Sequence, residues 1–411
     1  MTRSPAPRDD RCPSEDLSEF VYLDHAATTP LCPEAAAAIR TGLLLFGNPS
    51  SRHSVGQASH EALAGAREQV AALLGCPPAE VVFTGGGSEA ISLALRGTFA
   101  PLRWRGHLVT TAIEHSAVLE SAAALRRRGV DVTVVAPEPS GHVDPARVAA
   151  AIRPDTTLVS VMHANNETGA VQPVREITEL AHAAGALMHV DAVQTAGKLP
   201  IDTLRADMVS ISAHKFGGPK GVGALRLAAH HRVEPLVCGG GQEDGRRAGT
   251  ENLPGVLGMA AAAAAAAPRL HDTAYREQRW ELRLRLLRHL SSLDGVHVNA
   301  TDPVMAETIS VSFAGVRGDT VADVLDMHGV CVSTGSACHA GQDSPSHVLT
   351  AMGVGDDRAR ATLRFSFGPA TTAADIDTAA RATVAAVNQL RRVSGQGALL
   401  TAQPAGSAGA H

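Results

Sequence analysis

"ALMHVDAVQTAGKLPIDTLRADMVSISAHKFGGPKGVG", residues 186–223, is the stretch that decides the fold class. It contains two short, largely apolar runs, ALMHV and DMVSIS, which lack the strict alternation of a half-exposed strand. Runs of this kind are typical of strands that are buried on both faces of a parallel sheet. The polar residues that follow each run therefore fall at the carboxyl ends of two predicted strands.

The same pattern continues along the chain on both sides of this stretch. Short β-branched runs alternate with longer helical patterns, and these runs are "EVVF", "HLVTTA", "VDVTVVA" and "TTLVSVM". A second α/β pattern, from "ETISVSF" to "AADIDTAARATVAAVNQLRRV", follows nearer the C-terminus. Strands that alternate with helices predict an α/β protein with a doubly wound, mostly parallel central sheet.

Chain length predicts more than one domain, because 411 residues is about twice the usual domain size. We predict a large domain over residues 21–265 and a smaller α/β domain over 266–397, with flexible tails at 1–20 and 398–411.

Two helical stretches lie near the predicted domain boundary. Eight consecutive alanines, 260–267, predict a helix that ends at Pro268. The basic stretch 275–290 predicts an amphipathic helix with a packed leucine stripe and a solvated face, and a partner-binding site is the alternative.

The composition excludes several classes of function. A formal net charge of -5 lacks the positive excess that nucleic acid binding requires. No apolar run reaches the roughly 18 residues of a membrane span and the N-terminus lacks a signal peptide, so we predict a cytoplasmic protein without a membrane segment. The six cysteines form no C-x-x-C pair, and the 19 histidines show no zinc-binding spacing, so no metal site is predicted.

Two charged residues follow the predicted strands of the opening stretch. Lys215 comes just after DMVSIS, behind Ala213 and His214, and a lysine amine in that position could form a Schiff base with an aldehyde such as pyridoxal phosphate. Asp191 follows ALMHV and could pair with the pyridinium nitrogen of that cofactor. A solvated surface lysine and a helix N-cap aspartate are the alternatives for the two residues.

A phosphate site is predicted in "FTGGGSEAISLAL", residues 83–95, where a glycine-rich turn leads from a strand into a helix. Free N–H groups and the helix dipole accept an anion there, and Ser88 could add a hydroxyl. No Gly-Lys-Ser/Thr follows, so the turn is not a nucleotide P-loop. His115 could stack on a cofactor ring, and Asn166 and Gln194 could hydrogen-bond its substituents.

Cys338 lies in "VSTGSACHAGQD", residues 332–343, a polar run with no apolar face to bury the sulfur. A free thiol has a pKa of roughly 8.5, so nucleophilic attack requires exposure and a nearby base or positive charge. His339 could supply either one. We therefore predict a nucleophilic cysteine in a mobile loop at about 333–346, and a small residue that merely fills a turn is the alternative.

Ten motifs in one order carry a resemblance to a known family. By these motifs the chain resembles, over about residues 21–390, the pyridoxal-phosphate-dependent cysteine desulfurases of the NifS and IscS type within the class V aminotransferase family. The motifs are "YLDHAATTP" (22–30), "GNPSSRHSVG" (47–56), "FTGGGSEA" (83–90), "EHSAV" (114–118), "HANNETG" (163–169), "HVDAVQTAGKLPID" (189–202), "SAHKFGGPKG" (212–221), "RAGTEN" (247–252), "STGSAC" (333–338) and "LRFSFG" (363–368).

The resemblance implies a transferase of fold type I that uses pyridoxal phosphate to convert L-cysteine to L-alanine. Sulfur would pass to a persulfide on Cys338 and then to an acceptor protein for iron-sulfur cluster, thio-cofactor or tRNA biosynthesis. The implied catalytic residues are Cys338, Lys215 and His115. The implied cofactor-binding residues are Gly87, Ser88, His115, Asn166, Asp191, Gln194, Ser212, His214, Lys215 and Thr250. Arg364 and Asn48 are implied to bind the substrate.

The resemblance also implies a homodimer, in which Thr250 reaches the cofactor phosphate of the partner chain. Two other functions stay open at this stage. The triplet "ACH", together with "GGGQE" (239–243) and "SPSHVL" (344–349), is similar to selenocysteine lyases, which release selenium from L-selenocysteine. The other alternative is a catalytically silent scaffold that binds a sulfur-carrier partner.

Overall fold

The computed structural model describes residues 20–334 and 344–395. The tails at 1–19 and 396–411 and the segment 335–343, which contains Cys338 and His339, lie outside the described residues. The strands are β1 Val21–Tyr22, β2 Val81–Thr84, β3 His107–Thr111, β4 Asp131–Val135, β5 Thr156–Met162, β6 Leu187–Asp191, β7 Met208–Ser212, β8 Gly223–Leu227, β9 Val296–Val298, β10 Thr308–Phe313, β11 Val330–Cys331 and β12 Thr362–Ser366. The α-helices are α1 Pro33–Leu44, α2 Ser54–Leu74, α3 Gly87–Phe99, α4 Ser116–Arg127, α5 Pro145–Ala151, α6 Val174–Ala183, α7 Leu253–His271, α8 Thr273–Leu290, α9 Gly318–Met327, α10 His347–Ala351, α11 Asp356–Arg360 and α12 Ala373–Val393.

A seven-stranded sheet with the order β2-β8-β7-β6-β5-β3-β4 forms the centre of the molecule. β4, β3, β5, β6 and β7 run parallel to one another, and β8 runs antiparallel to both of its neighbours. Met162 pairs with Asp191, and Asp191 pairs with Ser210, so the ends of these strands are aligned. The polar residues that follow the strands therefore meet at one edge of the sheet, as predicted.

Apolar side chains cover both faces of this sheet. Val81 and Phe83 of β2 pack into a core with α1, α2, α6 and α7, whereas Val82 packs into a core with α3 and α4 on the opposite face. Because both faces are buried, the strands carry few exposed positions, which explains their nearly continuous apolar sequence. The predicted α/β fold with a mostly parallel central sheet is confirmed.

A second, antiparallel sheet has the order β12-β10-β9, and α8, α9 and α12 pack with it around a separate apolar core. Leu282, Leu286 and Leu290 form the predicted leucine stripe of α8 in this core. The basic face of α8 is not wholly solvated, because Arg279 and Arg283 are 1% and 5% exposed. The predicted boundary between residues 265 and 266 falls inside α7, and the domain limits stay a prediction.

The helix α7 corrects one sequence prediction. It does not end at Pro268 but continues to His271. An interior proline removes a backbone hydrogen bond and its ring crowds the preceding turn, but Leu270 packs into the core beyond it, which favours the extra turn. By length and composition α7 could also cross a membrane, but the buried core helix of a protein without a membrane span has the same length and composition. In this fold α7 packs against α1 and α2, with 56% of its most apolar window buried.

Candidate active site

A first cavity of about 450 Å³ lies at the carboxyl ends of β5, β6 and β7. This volume is in the range of ordinary ligand-binding pockets. Ten of the residues that the sequence analysis selected line the first cavity: Gly87, Ser88, His115, Asn166, Asp191, Gln194, Ser212, His214, Lys215 and Arg364. The fold thus brings together residues that are separated by up to 277 positions in the chain, from Gly87 to Arg364.

Lys215 lies in a short 3-10 turn, Ala213–Lys215, that directly follows β7. Its Nζ donates hydrogen bonds to the backbone oxygens of Ala26, at 2.5 Å, and Ala27, at 2.9 Å. The two carbonyls belong to the segment after β1, which forms another part of the cavity wall. The amine is therefore held at the cavity and not in bulk solvent.

Asp191 is the last residue of β6 and is 5% exposed. Its Oδ1 accepts a hydrogen bond from the backbone N–H of Val193 at 2.9 Å. Burial raises the pKa of Asp191 to about 6, although this hydrogen bond and the charge of Lys215 oppose the rise. No helix begins at Asp191 in the described structure, so the N-cap alternative was wrong. Asp191 is mostly ionised at neutral pH and presents a carboxylate to the cavity.

The amino end of α3 forms a cradle for an anion. The helix begins at Gly87, so its first N–H groups point into the cavity beside the Ser88 and Ser212 side chains. A Cβ atom at Gly87 would lie 2.8 Å from Cγ2 of Val193, so only glycine fits. His214 lines the same cavity, and burial, followed by the charge of Lys215, lowers its pKa to about 4.

Amide and imidazole side chains line the remaining wall. Gln194 donates from Nε2 to the backbone oxygen of Ala26 at 2.9 Å, and its buried Oε1 has no hydrogen-bond partner among the described residues. A buried acceptor without a partner is costly, which indicates a ligand that donates to it. His115 accepts a hydrogen bond at Nδ1 from the Ala117 N–H at 3.1 Å, which fixes its ring at the start of α4. Asn166 is half-buried in the same wall.

Arg364 comes from β12 and is 2% exposed. Its Nη1 donates to the backbone oxygen of Asn166 at 2.8 Å, and its Nη2 donates to Oδ1 of Asp24 at 2.7 Å. The buried Nε of Arg364 has no partner within residues 20–334 and 344–395. Asp24 therefore sets the orientation of this guanidinium. Asp24 was not predicted as a site residue, although it lies in the motif "YLDHAATTP".

A buried carboxyl behind the first cavity was also missed. Glu114 is fully buried, and its Oε1 accepts hydrogen bonds from Thr111 Oγ1, at 2.7 Å, and the Met162 N–H, at 3.0 Å. Burial raises the pKa of Glu114 to about 8, so it carries a proton at neutral pH. Glu114 follows β3 and precedes His115 in the chain, and this position could have identified it as a residue near the site.

Both ends of the segment that contains Cys338 are attached to the first cavity. Before it, Ser333 exchanges two backbone hydrogen bonds with Arg364, at 2.7 and 3.1 Å. After it, the Ser346 hydroxyl donates to Glu167, and His347 Nε2 is 3.0 Å from the backbone oxygen of Glu114. Glu167 and His347 line the cavity themselves. The predicted nucleophile, Cys338, lies outside the described residues.

Two predicted site residues do not line the first cavity. Asn48 is exposed, and its Oδ1 accepts a hydrogen bond from the Ser50 N–H at 2.9 Å. Thr250 is exposed as well. Their roles in substrate and phosphate binding stay predictions, as does the absence of a metal.

Comparisons with known proteins agree with this site. The model of the family Aminotransferase class-V matches residues 21–378. The cysteine desulfurase IscS of Anaeromyxobacter dehalogenans is 44% identical over 383 residues, which cover 91% of this chain and 94% of that protein. The cysteine desulfurase IscS of Dictyoglomus turgidum is 40% identical over 384 residues, which cover 92% and 97%.

Solved structures show the same similarity. A NifS-like protein superposes with a TM-score of 0.82 and 34% identity, covering 92% of this chain and 99% of that chain. SspA in complex with cysteine superposes with a TM-score of 0.75 and 36% identity, covering 85% and 99%.

The chain belongs to the class V aminotransferase family, whose members use pyridoxal phosphate. Within that family it belongs with the cysteine desulfurases of the IscS type. The resemblance drawn from the ten motifs is thereby confirmed, and so is the prediction of an enzyme. Nothing in these relatives favours a selenocysteine lyase or a silent scaffold.

Proposed function

We propose that the first cavity holds pyridoxal phosphate and that the chain uses it to remove sulfur from L-cysteine. The products are L-alanine and a persulfide on Cys338. The convergence of Lys215, Asp191 and the amino end of α3 in one cavity carries this proposal. These groups match the aldehyde, the pyridinium nitrogen and the phosphate of the cofactor.

The residues of the first cavity fit this cofactor. Lys215 would hold it covalently, and Asp191 would keep the proton on its ring nitrogen. The N–H groups at Gly87 and Ser88, with Ser212 and His214, would hold the phosphate. Gln194 Oε1, which is buried without a partner among the described residues, would accept a hydrogen bond from a ring substituent. When bound, the cofactor withdraws electrons from the substrate carbons.

Arg364 is proposed to bind the substrate carboxylate. A guanidinium presents two N–H groups in a plane, which suits a carboxylate better than a lysine does. Arg364 keeps a buried Nε without a partner in the part of the chain that the structure describes. The Asp24 carboxylate and the Asn166 carbonyl hold the other end of the guanidinium. Asn48 is proposed as a further substrate contact.

Sulfur transfer is proposed to occur by attack of the Cys338 thiolate on the sulfur of the bound cysteine. An S–S bond forms, the C–S bond breaks, and its electron pair stays with the carbon skeleton, which takes up a proton and leaves as alanine. His115 and Lys215 lie in the cavity wall, where they can hold and transfer protons. The attachment of residues Ser333 and Ser346 to the cavity keeps the ends of the Cys338 segment close to the substrate.

We propose a homodimer as the working form. Leu43, Leu44 and Phe46, at and after the end of α1, are 68%, 78% and 86% exposed. Large apolar side chains grouped on a surface favour an interface with another chain. In the dimer Thr250 would contact the cofactor phosphate of the partner. The sulfur acceptor is proposed to be a protein, and the cytoplasmic location stays a prediction.

The test measures alanine and sulfide formation from L-cysteine with a reductant, and selenide release from L-selenocysteine in parallel. Lys215→Ala is expected to abolish the visible absorption of the bound cofactor. Cys338→Ala is expected to keep that absorption and to stop sulfide release. Full activity of Cys338→Ala on L-cysteine would disprove the persulfide route. Activity on L-selenocysteine alone would identify a lyase.

A further inference from the structure

A second cavity of about 400 Å³ lies on the other side of Lys215, which forms a wall of both cavities. It is bounded by the segment 29–34, the end of α7, the start of α8 and the segment 367–370. None of the roles assigned above uses this space. Its polar lining includes His25, Lys198, Arg269, Tyr275 and Glu307.

Lys198 presents an ammonium group to the second cavity without a partner among the described residues. It lines the cavity but forms no hydrogen bond or ion pair with any residue in 20–334 or 344–395. Burial lowers its pKa to about 8, while the charge of Glu307 opposes this effect. Lys198 therefore remains mostly charged at neutral pH. An enclosed charge without a partner is destabilising unless a ligand or water compensates it.

Glu307 presents an acidic group to the same space. It is 8% exposed and precedes β10. Burial raises its pKa, and the charges of Lys198, Arg279 and Arg283 oppose that rise. Apart from its own backbone N–H, the carboxyl has no hydrogen bond or ion pair with a described residue. Lys198 and Glu307 thus line one cavity and form no ion pair with each other.

A third polar group in this lining also lacks a partner. His25 is 7% exposed, and its Nδ1 is buried with no hydrogen bond among the described residues. Burial, followed by the charges of Lys198 and Arg279, lowers the pKa of His25 to about 4, so its ring is neutral. The lining therefore offers an amine, a carboxyl and a neutral imidazole, and the imidazole keeps an Nδ1 without a partner among the described residues.

Two separated opposite charges suit a ligand that carries both. We propose that the second cavity binds a small zwitterionic α-amino acid, with its carboxylate on Lys198 and its ammonium on Glu307. Arg269 and Tyr275 lie in the same lining and offer further hydrogen-bond donors. A simple anion would leave Glu307 unpaired, and a simple cation would leave Lys198 unpaired. The choice of L-alanine as probe rests on the proposed function, but the site itself does not.

The experiment uses the holoenzyme after reduction with borohydride, which fixes the cofactor on Lys215 and closes the first cavity to amino acids. Loss of the visible absorption on reduction verifies the proposed cofactor link before any ligand is added. Binding of L-alanine is then measured by calorimetry, with acetate and methylammonium as single-charge probes. The variants are Lys198→Met and Glu307→Gln, and Lys220→Met is the control because Lys220 is exposed and lines neither cavity.

We expect saturable binding of L-alanine that each cavity variant weakens about tenfold or more, since each removes one charge-assisted contact. Lys220→Met is expected to bind like the unaltered chain, and both single-charge probes are expected to bind more weakly than L-alanine. The proposal is wrong if L-alanine does not bind, which would indicate a water-filled cavity. It is also wrong if acetate binds equally well and Glu307→Gln changes nothing. Neither result would alter the spectroscopic test of Lys215.

Discussion

The two cavities beside Lys215 differ in how the protein holds their charges. In the first cavity Lys215 donates to two carbonyls, and Arg364 is paired with Asp24. In the second cavity Lys198 and Glu307 have no such partners among the described residues. Groups that are fixed before a ligand arrives stabilise charge during a reaction without reorganising. We therefore assign catalysis to the first cavity and reversible binding of a ligand to the second.

Removal of the Asp191 charge is expected to give the largest loss of activity with L-cysteine. Asp191→Asn keeps the size of the side chain but cannot hold a proton on the cofactor nitrogen. We expect kcat with L-cysteine to fall about a hundredfold or more, because preorganised charge contributes on that scale. Steady-state alanine formation, normalised to bound cofactor, measures it.

Asp207→Asn is the matched control for this variant. Asp207 is also 5% exposed and accepts a hydrogen bond from the Met188 N–H at 2.7 Å, but it does not line the first cavity. Its substitution is expected to lower stability and to leave the kcat of the folded enzyme unchanged. If both variants lost activity equally, Asp191 would be a structural residue only.

Loss of the Asp24 carboxylate is expected to weaken substrate binding more than it slows the reaction. Asp24→Ala frees one end of the Arg364 guanidinium, so the substrate carboxylate meets a less ordered partner. We expect KM for L-cysteine to rise about tenfold, with a much smaller change in kcat. Asp319→Ala is the control, because Asp319 pairs with Arg317 at 2.6 Å on the surface. A decrease in KM would instead mean that Asp24 competes with the substrate for Arg364.

The sequence predicted the fold and the groups that follow single strands. Lys215 and Asp191 were found because each lies just after an apolar run, and the position of a residue along a strand can be read locally. Asp24 could not be assigned in this way, because its partner Arg364 is 340 residues away in the chain. The second cavity was missed for the same reason, since Lys198 and Glu307 come from separate segments that meet only in the folded chain.

The helix α7 shows a second limit of sequence reasoning. Pro268 predicted a stop, but the helix continues to His271 and buries Leu270 in the core. Tertiary packing is not visible in a local pattern.

Glu114 and Glu307 are buried carboxyls, one near each cavity. The protonation of Glu114 gives the prediction with the smallest expected effect. Burial raises the pKa of both Glu114 and Glu307, and that of Glu114 reaches about 8 from an ordinary value of 4.5. Between pH 4.5 and about 8, Glu114 therefore carries a proton in the folded chain but not in the unfolded chain. Stability from this proton is fully present below about pH 4.5 and is lost as the pH rises towards 8.

Glu114→Gln removes this pH dependence, because an amide stays neutral throughout. Relative to the unaltered chain, the variant should gain in free energy of unfolding as the pH rises from 5 to 8, by at most about 1.4 kcal/mol per pH unit. Denaturant titrations at several pH values measure the difference, with the exposed Glu176→Gln as the control. A difference that is constant with pH would show that Glu114 folds as a carboxylate. The two hydrogen bonds donated by Thr111 and Met162 would then compensate the burial of a charged Glu114.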